Sequence, residues 1–318
     1  RLQLAQFFSD QHFFYRHNIL RLQVERSDEP RLSGALTISD EYLTYLTTGE
    51  RYRPGYSANF PASQIETGLG WEDLVLDEEA VEEIRELETW IQHHQLIRQD
   101  WDLGKRIPPG YRVLFYGPPG TGKTLVAKLL GRSTRRDVYR IDLSQMVSKY
   151  IGETEKNLAH VFDRAENQNW ILFFDEADAL FGKRTGTKDA HDRYANQEVA
   201  YLLQRIEDYP GLVILATNLK GNIDEAFTRR FQSMVYFAMP DEQQRLQHWR
   251  NAFGGKLPLD EGVDLEAVAR QYEISGGTIV NVLRYCAVAA ARRDAENPSV
   301  TREDIIRGIR RELRKEGR

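Results

Sequence analysis

With 318 residues, the chain is long enough for about two domains, and its 41% hydrophobic and 29% charged residues are those of a folded protein rather than a disordered one. A net charge of −5 argues against a nucleic-acid binder. A single cysteine, Cys286, allows no disulfide framework, and no stretch nears the roughly 18 continuous apolar residues of a membrane span.

Residues 1–70 begin at Arg1 rather than Met and look too short for a core of their own. They are expected to be the end of a larger N-terminal domain plus a linker. Within them, RLSGALTISDEYLTYLTTG predicts a short strand and then a helix capped at Ser39 or Asp40. RYRPGYSANFPASQ, with two prolines and a glycine, reads as the linker. From Trp71, WEDLVLDEEAVEEIRELETWIQHH predicts a turn and a helix that buries Val81, Ile84, Leu87 and Ile91 on one face. His93 and His94 near its end lack a partner cluster for a metal and suit a solvated helix terminus.

The segment YRVLFYGPPGTGKT (111–124) organises the rest. An apolar strand breaks into Gly117-Pro118-Pro119-Gly120-Thr121-Gly122, and a helix opens at Lys123-Thr124-Leu125. Strand, glycine-rich loop and helix in this order are the context that confirms a phosphate-binding loop. The glycines bring backbone N–H groups close to phosphate oxygens, and the helix N-terminus adds partial positive charge. Lys123 would reach the β- and γ-phosphates, and the Thr124 hydroxyl would bind Mg²⁺.

Alternating elements follow: strand 137–142, helix 155–167, strand 170–178, helix 191–208, strand 211–218 and strand 233–239. Continuous apolar strands alternating with helices predict a parallel five-stranded sheet of the P-loop NTPase type, covered on both faces. After Pro240 four helical stretches predict a small all-helical domain over 241–318, leaving 71–240 as the α/β domain. Cys286 lies in an apolar helical run there and reads as a core residue. The basic C-terminal tail alternates with acids and reads as a solvated helix face.

In such sheets ligands sit at the carboxyl ends of the strands. The run ILFFDEAD ends a buried strand in Asp175 and Glu176. Asp175 would hold Mg²⁺ alongside Thr124, and Glu176 would polarise the water that attacks the γ-phosphate. Asn218, ending GLVILATN, is placed to orient the same water, although an asparagine that merely begins a turn gives the same pattern.

GPPGTGKT, ILFFDEAD, ATN and IDEAFTRRF, in this order and spacing, resemble the AAA+ ATPases, and more narrowly the clade of the proteasomal ATPases, katanin and the membrane-protease ATPases. The resemblance covers residues from about 70 to 318. It implies ATP and Mg²⁺ as cofactors, with Pro119, Gly120, Thr121, Gly122, Lys123, Thr124 and Leu125 around the phosphates. Asp175 and Glu176 match the Walker B pair and Asn218 matches sensor 1. Arg229 and Arg230 stand where the family carries arginine fingers that reach a neighbouring subunit's site. LGWEDLVL matches the segment that holds adenine, through Asp73, Leu74 and Val75. Gly276 and Gly277 of SGGT match the start of the lid helix that closes over the nucleotide, and Arg284 is wrongly placed to be a sensor arginine there.

SKYIGETEKN resembles the loop that faces the central pore of substrate-threading hexamers, so Lys149, Tyr150, Ile151 and Gly152 would grip an extended polypeptide. The long polar loop 181–196, with His191 and Arg193, suits a second pore-facing loop. LLQRIEDYPG departs from the family's signalling helix end, which puts a signalling role for Asp208 in doubt. No H-E-x-x-H occurs, so this chain is not also a zinc protease.

The implied function is a homo-oligomeric, hexameric motor that remodels or threads a polypeptide, with neither nucleic acid nor membrane as partner. With no signal peptide visible, a cytoplasmic location is expected. DRYANQEVAYLLQRIEDYPGLVILATNLKGNIDEAFTRRF is further similar to the bacterial ATPases encoded with phage-tail-like contractile injection systems. Two alternatives stay open at this point: a nucleic-acid motor, and a scaffold that binds ATP to assemble without threading.

Overall fold

The computed structural model describes residues 6–7, 9, 11–16, 19–23, 34–50, 52–57, 60–143, 153–178, 190–218, 228–255 and 257–317. Near the N-terminus β1 (Leu20–Gln23) pairs antiparallel with β2 (Ala35–Ile38). Helix α1 (Asp40–Thr48) follows, and the Ser39 side chain accepts a hydrogen bond from the Tyr42 N–H, the expected cap. Gly49 ends the helix in a left-handed conformation, φ 75°.

The central sheet runs β3 (Ser63–Ile65), β5 (Val138–Asp142), β6 (Ile171–Asp175), β7 (Leu212–Thr217), β4 (Tyr111–Tyr116), β8 (Ser233–Tyr236). The expected five strands are mutually parallel, and β3 adds a sixth, antiparallel to β5. The stretch read from sequence as a linker therefore closes one edge of the sheet. Phe60 and Ala62 just before it are buried, and Phe60 packs edge-on against Tyr139 and Trp170. Aromatic burial outweighs the turn-forming prolines around it.

Each parallel strand splits its side chains between two cores, as a period of two requires. Leu114, Leu172, Phe174, Val213 and Leu215 face one side. Val113, Phe115, Ile171, Phe173, Ile214 and Ala216 face the other. The first core is covered by α4 (Glu153–Gln168) and α5 (Ala190–Asp208), through Val161, Phe162, Leu202 and Ile206. The second is covered by α2 (Glu78–Gln95) and α3 (Lys123–Thr134), through Ile84, Leu87, Ile91, Val126 and Leu130. Val81, expected on the buried face of α2, is only half-buried. Asp77 caps α2 by accepting from the Ala80 N–H at 2.8 Å.

Tyr209 locks the end of α5 to this core. Its buried hydroxyl donates to the carbonyl oxygens of Trp170 (2.6 Å) and Ala165 (3.1 Å). Glycine is required at 211, since a Cβ there would lie 2.6 Å from the Tyr209 ring.

After Pro240 the four expected helices are α6 (Glu242–Phe253), α7 (Leu265–Gln271), α8 (Gly276–Arg293) and α9 (Arg302–Lys315). They enclose a separate core of Trp249, Phe253, Ile279, Val282, Cys286, Ile305 and Ile309. Cys286 is fully buried, and burial pushes its thiol pKa up to about 12. Among the described residues no helix is long and apolar enough to cross a membrane, and no cluster of His, Cys, Asp and Glu could by itself hold a metal.

Candidate nucleotide site

The loop between β4 and α3 is shaped by glycines in conformations that side chains rarely adopt, with φ 140° at Gly117, 76° at Gly120 and 108° at Gly122. A Cβ at Gly117 would lie 2.2 Å from the Phe237 carbonyl oxygen. Gly122 is the N-cap of α3 and supplies no side-chain cap, so the helix's first N–H groups stay available to an anion.

Lys123 is 8% exposed, and its ammonium donates to the carbonyl oxygens of Gly117 (2.7 Å) and Pro118 (2.9 Å). Burial lowers its pKa to about 8, with the carboxylates of Asp175 and Asp178 pulling the other way. Among the described residues the hydrogen bonds of this ammonium go to carbonyl oxygens, and a positive charge buried this deeply suits a phosphate. Thr121 is buried and Thr124 half-buried, while Pro119 and Gly120 face solvent. Gly122 lies against the Leu74 side chain, 3.5 Å from where a Cβ would sit.

Three strand ends meet here. Tyr116 pairs with Thr217, so the loop and Asn218 leave the sheet side by side. Strand β6 flanks β7 on its other side, which brings Asp175 level with Ala216, and the Ala177 N–H donates to the Ala216 carbonyl at 2.9 Å. Asp175 is half-buried and ion-paired to Arg140 Nε at 3.1 Å. Glu176 is exposed and adopts φ 54°, a left-handed conformation unusual for a glutamate, at which the backbone leaves the strand. The Thr217 hydroxyl donates to Asp178. Arg140 carries no motif signal, since it meets Asp175 only through the pairing of β5 with β6, whereas Asp178 closes the ILFFDEAD motif without an assigned role.

The C-terminal helical part touches the loop directly. The Gly277 N–H donates to the Gly120 carbonyl at 2.8 Å, and a Cβ at Gly277 would fall 2.9 Å from Gly120 Cα. Ser275 caps α8 and would collide with a Cβ at Gly120, at 2.4 Å. Gly277 is therefore small because backbone meets backbone, and Gly276 because a Cβ there would lie 2.8 Å from the His248 ring. The segment before α2 closes the same side. The Asp73 carboxylate accepts from the Gly70 N–H at 2.8 Å and so braces its own turn, and Arg132 of α3 donates to the Gly68 and Leu69 carbonyls.

Arg229 and Arg230 are not brought to this edge. Both are exposed, and Arg230 pairs with Glu207 at the end of α5. They precede β8 as Glu207 precedes β7, so they lie at the amino edge of the parallel strands. The six residues of β7 put about 20 Å between the two edges. Asp208 is exposed at that same amino edge. The expected pore loop, Lys149 to Gly152, and the 181–189 part of the second loop lie outside the described residues, as do the side chains of His191 and Arg193.

Residues that could hold Mg²⁺ are the Thr124 hydroxyl and the Asp175 carboxylate, beside the phosphate cradle. Hard oxygen donors of this kind suit that ion.

Residues 113–239 match the family model of the "ATPase family associated with various cellular activities (AAA)". Among curated proteins, the chain is similar to the cell division cycle protein 48 homolog of Archaeoglobus fulgidus, 32% identical over 243 residues, covering 74% of this chain and 32% of that one. It is similar to the proteasome-activating nucleotidase of Methanoregula boonei, 33% identical over 243 residues, 73% of this chain and 53% of the relative. The ATP-dependent zinc metalloprotease FtsH 2 of Sphaerobacter thermophilus is 31% identical over 261 residues, 80% of this chain and 38% of the relative. The chain thus spans about a third to a half of these relatives' lengths.

Proposed function

From a chain that belongs to the AAA ATPases, we infer a Mg²⁺-dependent ATPase whose complete active site is shared between neighbouring copies of a ring, and which uses turnover to remodel or thread polypeptide. The division into residues 1–70, an α/β domain over 71–240 and a lid over 241–318 belongs to this proposal. The observation that carries it is the split just described. The phosphate cradle, Asp175, Glu176 and Asn218 share one edge of the sheet, whereas Arg229 and Arg230 stand at the other and cannot reach their own chain's site.

Chemically, the α3 N-terminus and Lys123 would bind the phosphates, and Thr124 and Asp175 would hold Mg²⁺, whose charge would screen the phosphates. Glu176, turned out of the strand, takes a proton from the attacking water, and Asn218 orients that water. Arg229 and Arg230 of the next copy would neutralise charge on the γ-phosphate. Asp73, Leu74 and Val75 with the Gly276-Gly277 backbone close the nucleoside side. The exposure of Arg230 and of the Glu207 it pairs with supports a group that can be released to a neighbour, since exposed ion pairs contribute little.

Threading rests on Lys149, Tyr150, Ile151 and Gly152. It is supported by similarity to a proteasome-activating nucleotidase and by the family resemblance of SKYIG. The substrate class implied by the narrower sequence likeness is a component or cargo of a contractile injection apparatus, acted on in the cytoplasm by a hexamer. The test is stimulation of ATP turnover by an unfolded protein. Wild type should be stimulated, and Tyr150→Ala should bring the stimulated-to-unstimulated ratio to about one. An unchanged ratio in Tyr150→Ala would remove the threading reading.

A further inference from the structure

The C-terminal helices carry a second concave surface, lined by none of the nucleotide-site residues. It is a groove of about 650 Å³ between α8 and α9. Arg284, Tyr285, Val288 and Arg292 form its α8 wall, at the i, i+1, i+4, i+8 spacing of one helix face. Arg307, Arg311 and Lys315 form the α9 wall, again in steps of four. Glycine at 308 lets α9 settle against α8 here, since a Cβ there would lie 2.9 Å from Val282 Cγ1 and 3.1 Å from Tyr285 Cδ1.

Six cations and two carboxylates line the groove, a local surplus of four positive charges in a chain whose net charge is −5. Both carboxylates are satisfied from within it. Asp304 pairs with Arg293, and Glu312 pairs with Lys315 and accepts from Asn281. Arg307 pairs with Glu303 of its own helix. Among the described residues Arg284, Arg292 and Arg311 have no carboxylate within ion-pair distance, and the Arg311 guanidinium lies 5.9 Å from the centre of the Tyr285 ring. Between these arginines sit the half-buried Tyr285 and Val288, which is 64% exposed. Cationic rims around an apolar middle are complementary to a segment whose carboxylates flank an apolar stripe. From Asn281 to Arg292 the α8 wall is about 16 Å long, or about three helical turns.

We propose that this groove docks an acidic amphipathic helix of a partner protein, about three turns long. Its carboxylates meet Arg284, Arg292 and Arg311, and its apolar side chains cover Val288 and Tyr285. The two inward carboxylates and the apolar middle suit a nucleic-acid backbone poorly, because phosphates are met by Arg and Lys without an apolar stripe.

The experiment is fluorescence anisotropy with the full chain and a labelled peptide of about four turns that carries Glu and Leu at helical spacing. Its counterpart with Lys for Glu and a labelled oligothymidylate are the comparison probes. The proteins are wild type, Arg284→Glu with Arg292→Glu, and Val288→Asp, each shown to be folded by thermal unfolding. Wild type should bind the Glu peptide at least about 10-fold more tightly than the Lys peptide, and more weakly as salt rises. The double arginine reversal should weaken the Glu peptide about 10-fold or more and tighten the Lys peptide. Val288→Asp should weaken the Glu peptide with its arginines intact. No preference for the Glu peptide in wild type, or the same affinity for it in the double reversal, would overturn the proposal. Oligothymidylate that binds more tightly than the Glu peptide and is lost in the double reversal would overturn it in favour of nucleic acid. A smaller assembly mass for the double reversal in sedimentation without peptide would overturn it in favour of a second copy of this chain.

Discussion

The two edges of the central sheet make different offers. Its carboxyl edge gathers a glycine-shaped anion cradle, a buried lysine, two carboxylates and an asparagine, with a lid bonded to the loop by Gly277. Its amino edge shows exposed charge, Arg229, Arg230, Glu207 and Asp208, around a buried Arg112 that donates to the Glu207 carbonyl at 2.7 Å. On the proposed function, one edge holds a nucleotide and the other touches one held by a neighbouring copy, which would make hydrolysis a property of a pair of copies.

Substitutions that strike each edge separately sharpen this contrast. The largest effect is expected from Arg229→Ala with Arg230→Ala, which should slow ATP turnover about 10³-fold or more while leaving ADP affinity nearly unchanged. A parallel loss of ADP affinity would break the contrast by placing the arginines at their own chain's site. Glu176→Gln should reduce turnover about 10²–10⁴-fold, with ATP still bound, read by steady-state phosphate release against equilibrium binding. A smaller effect is expected at Gly120. Gly120→Ala meets both a positive φ and the Ser275 hydroxyl, and should weaken nucleotide binding more than it lowers the melting temperature. If stability falls as far as binding, the close lid contact is merely structural.

Arg140→Ala removes a cation from the Asp175 carboxylate at a part-exposed site. It should lower the Mg²⁺ concentration needed for half-maximal turnover by a few-fold at most, since exposed ion pairs contribute little. The smallest effect concerns neither edge. Cys286, with its thiol pushed up to about 12 and no exposure, should resist alkylation at pH 8 in folded protein and react only on unfolding. Rapid labelling would show that the lid core opens.

Much of the carboxyl edge was legible because its signals are local. Gly117 to Thr124 carry the loop in eight consecutive residues, and Asp175-Glu176 and Asn218 each close an apolar run that periodicity marks as a strand. Helix α1 was equally legible from Ser39 and Gly49. What escaped is what pairing alone creates. Strand β3 is three residues long among prolines, and only its ladder with Val138–Arg140 makes it a strand. Arg140 reaches Asp175 because two strands lie side by side, and Gly277 reaches Gly120 of the phosphate loop because the helical part after Pro240 folds back over the sheet. Tyr209, visible in sequence only as part of a departure from the family's pattern, is a buried anchor whose hydroxyl bonds to the carbonyls of Ala165 and Trp170, a role that only the packing of α5 on the core creates.

The shared site is tested most directly by mixing two variants, each expected to be inactive alone: Glu176→Gln, and Arg229→Ala with Arg230→Ala. In a co-assembled mixture some sites combine an intact Glu176 from one copy with intact arginines from the next. ATP turnover should therefore reappear on mixing and rise with protein concentration. A mixture shown to co-assemble that stays as inactive as its components would contradict a site shared between copies.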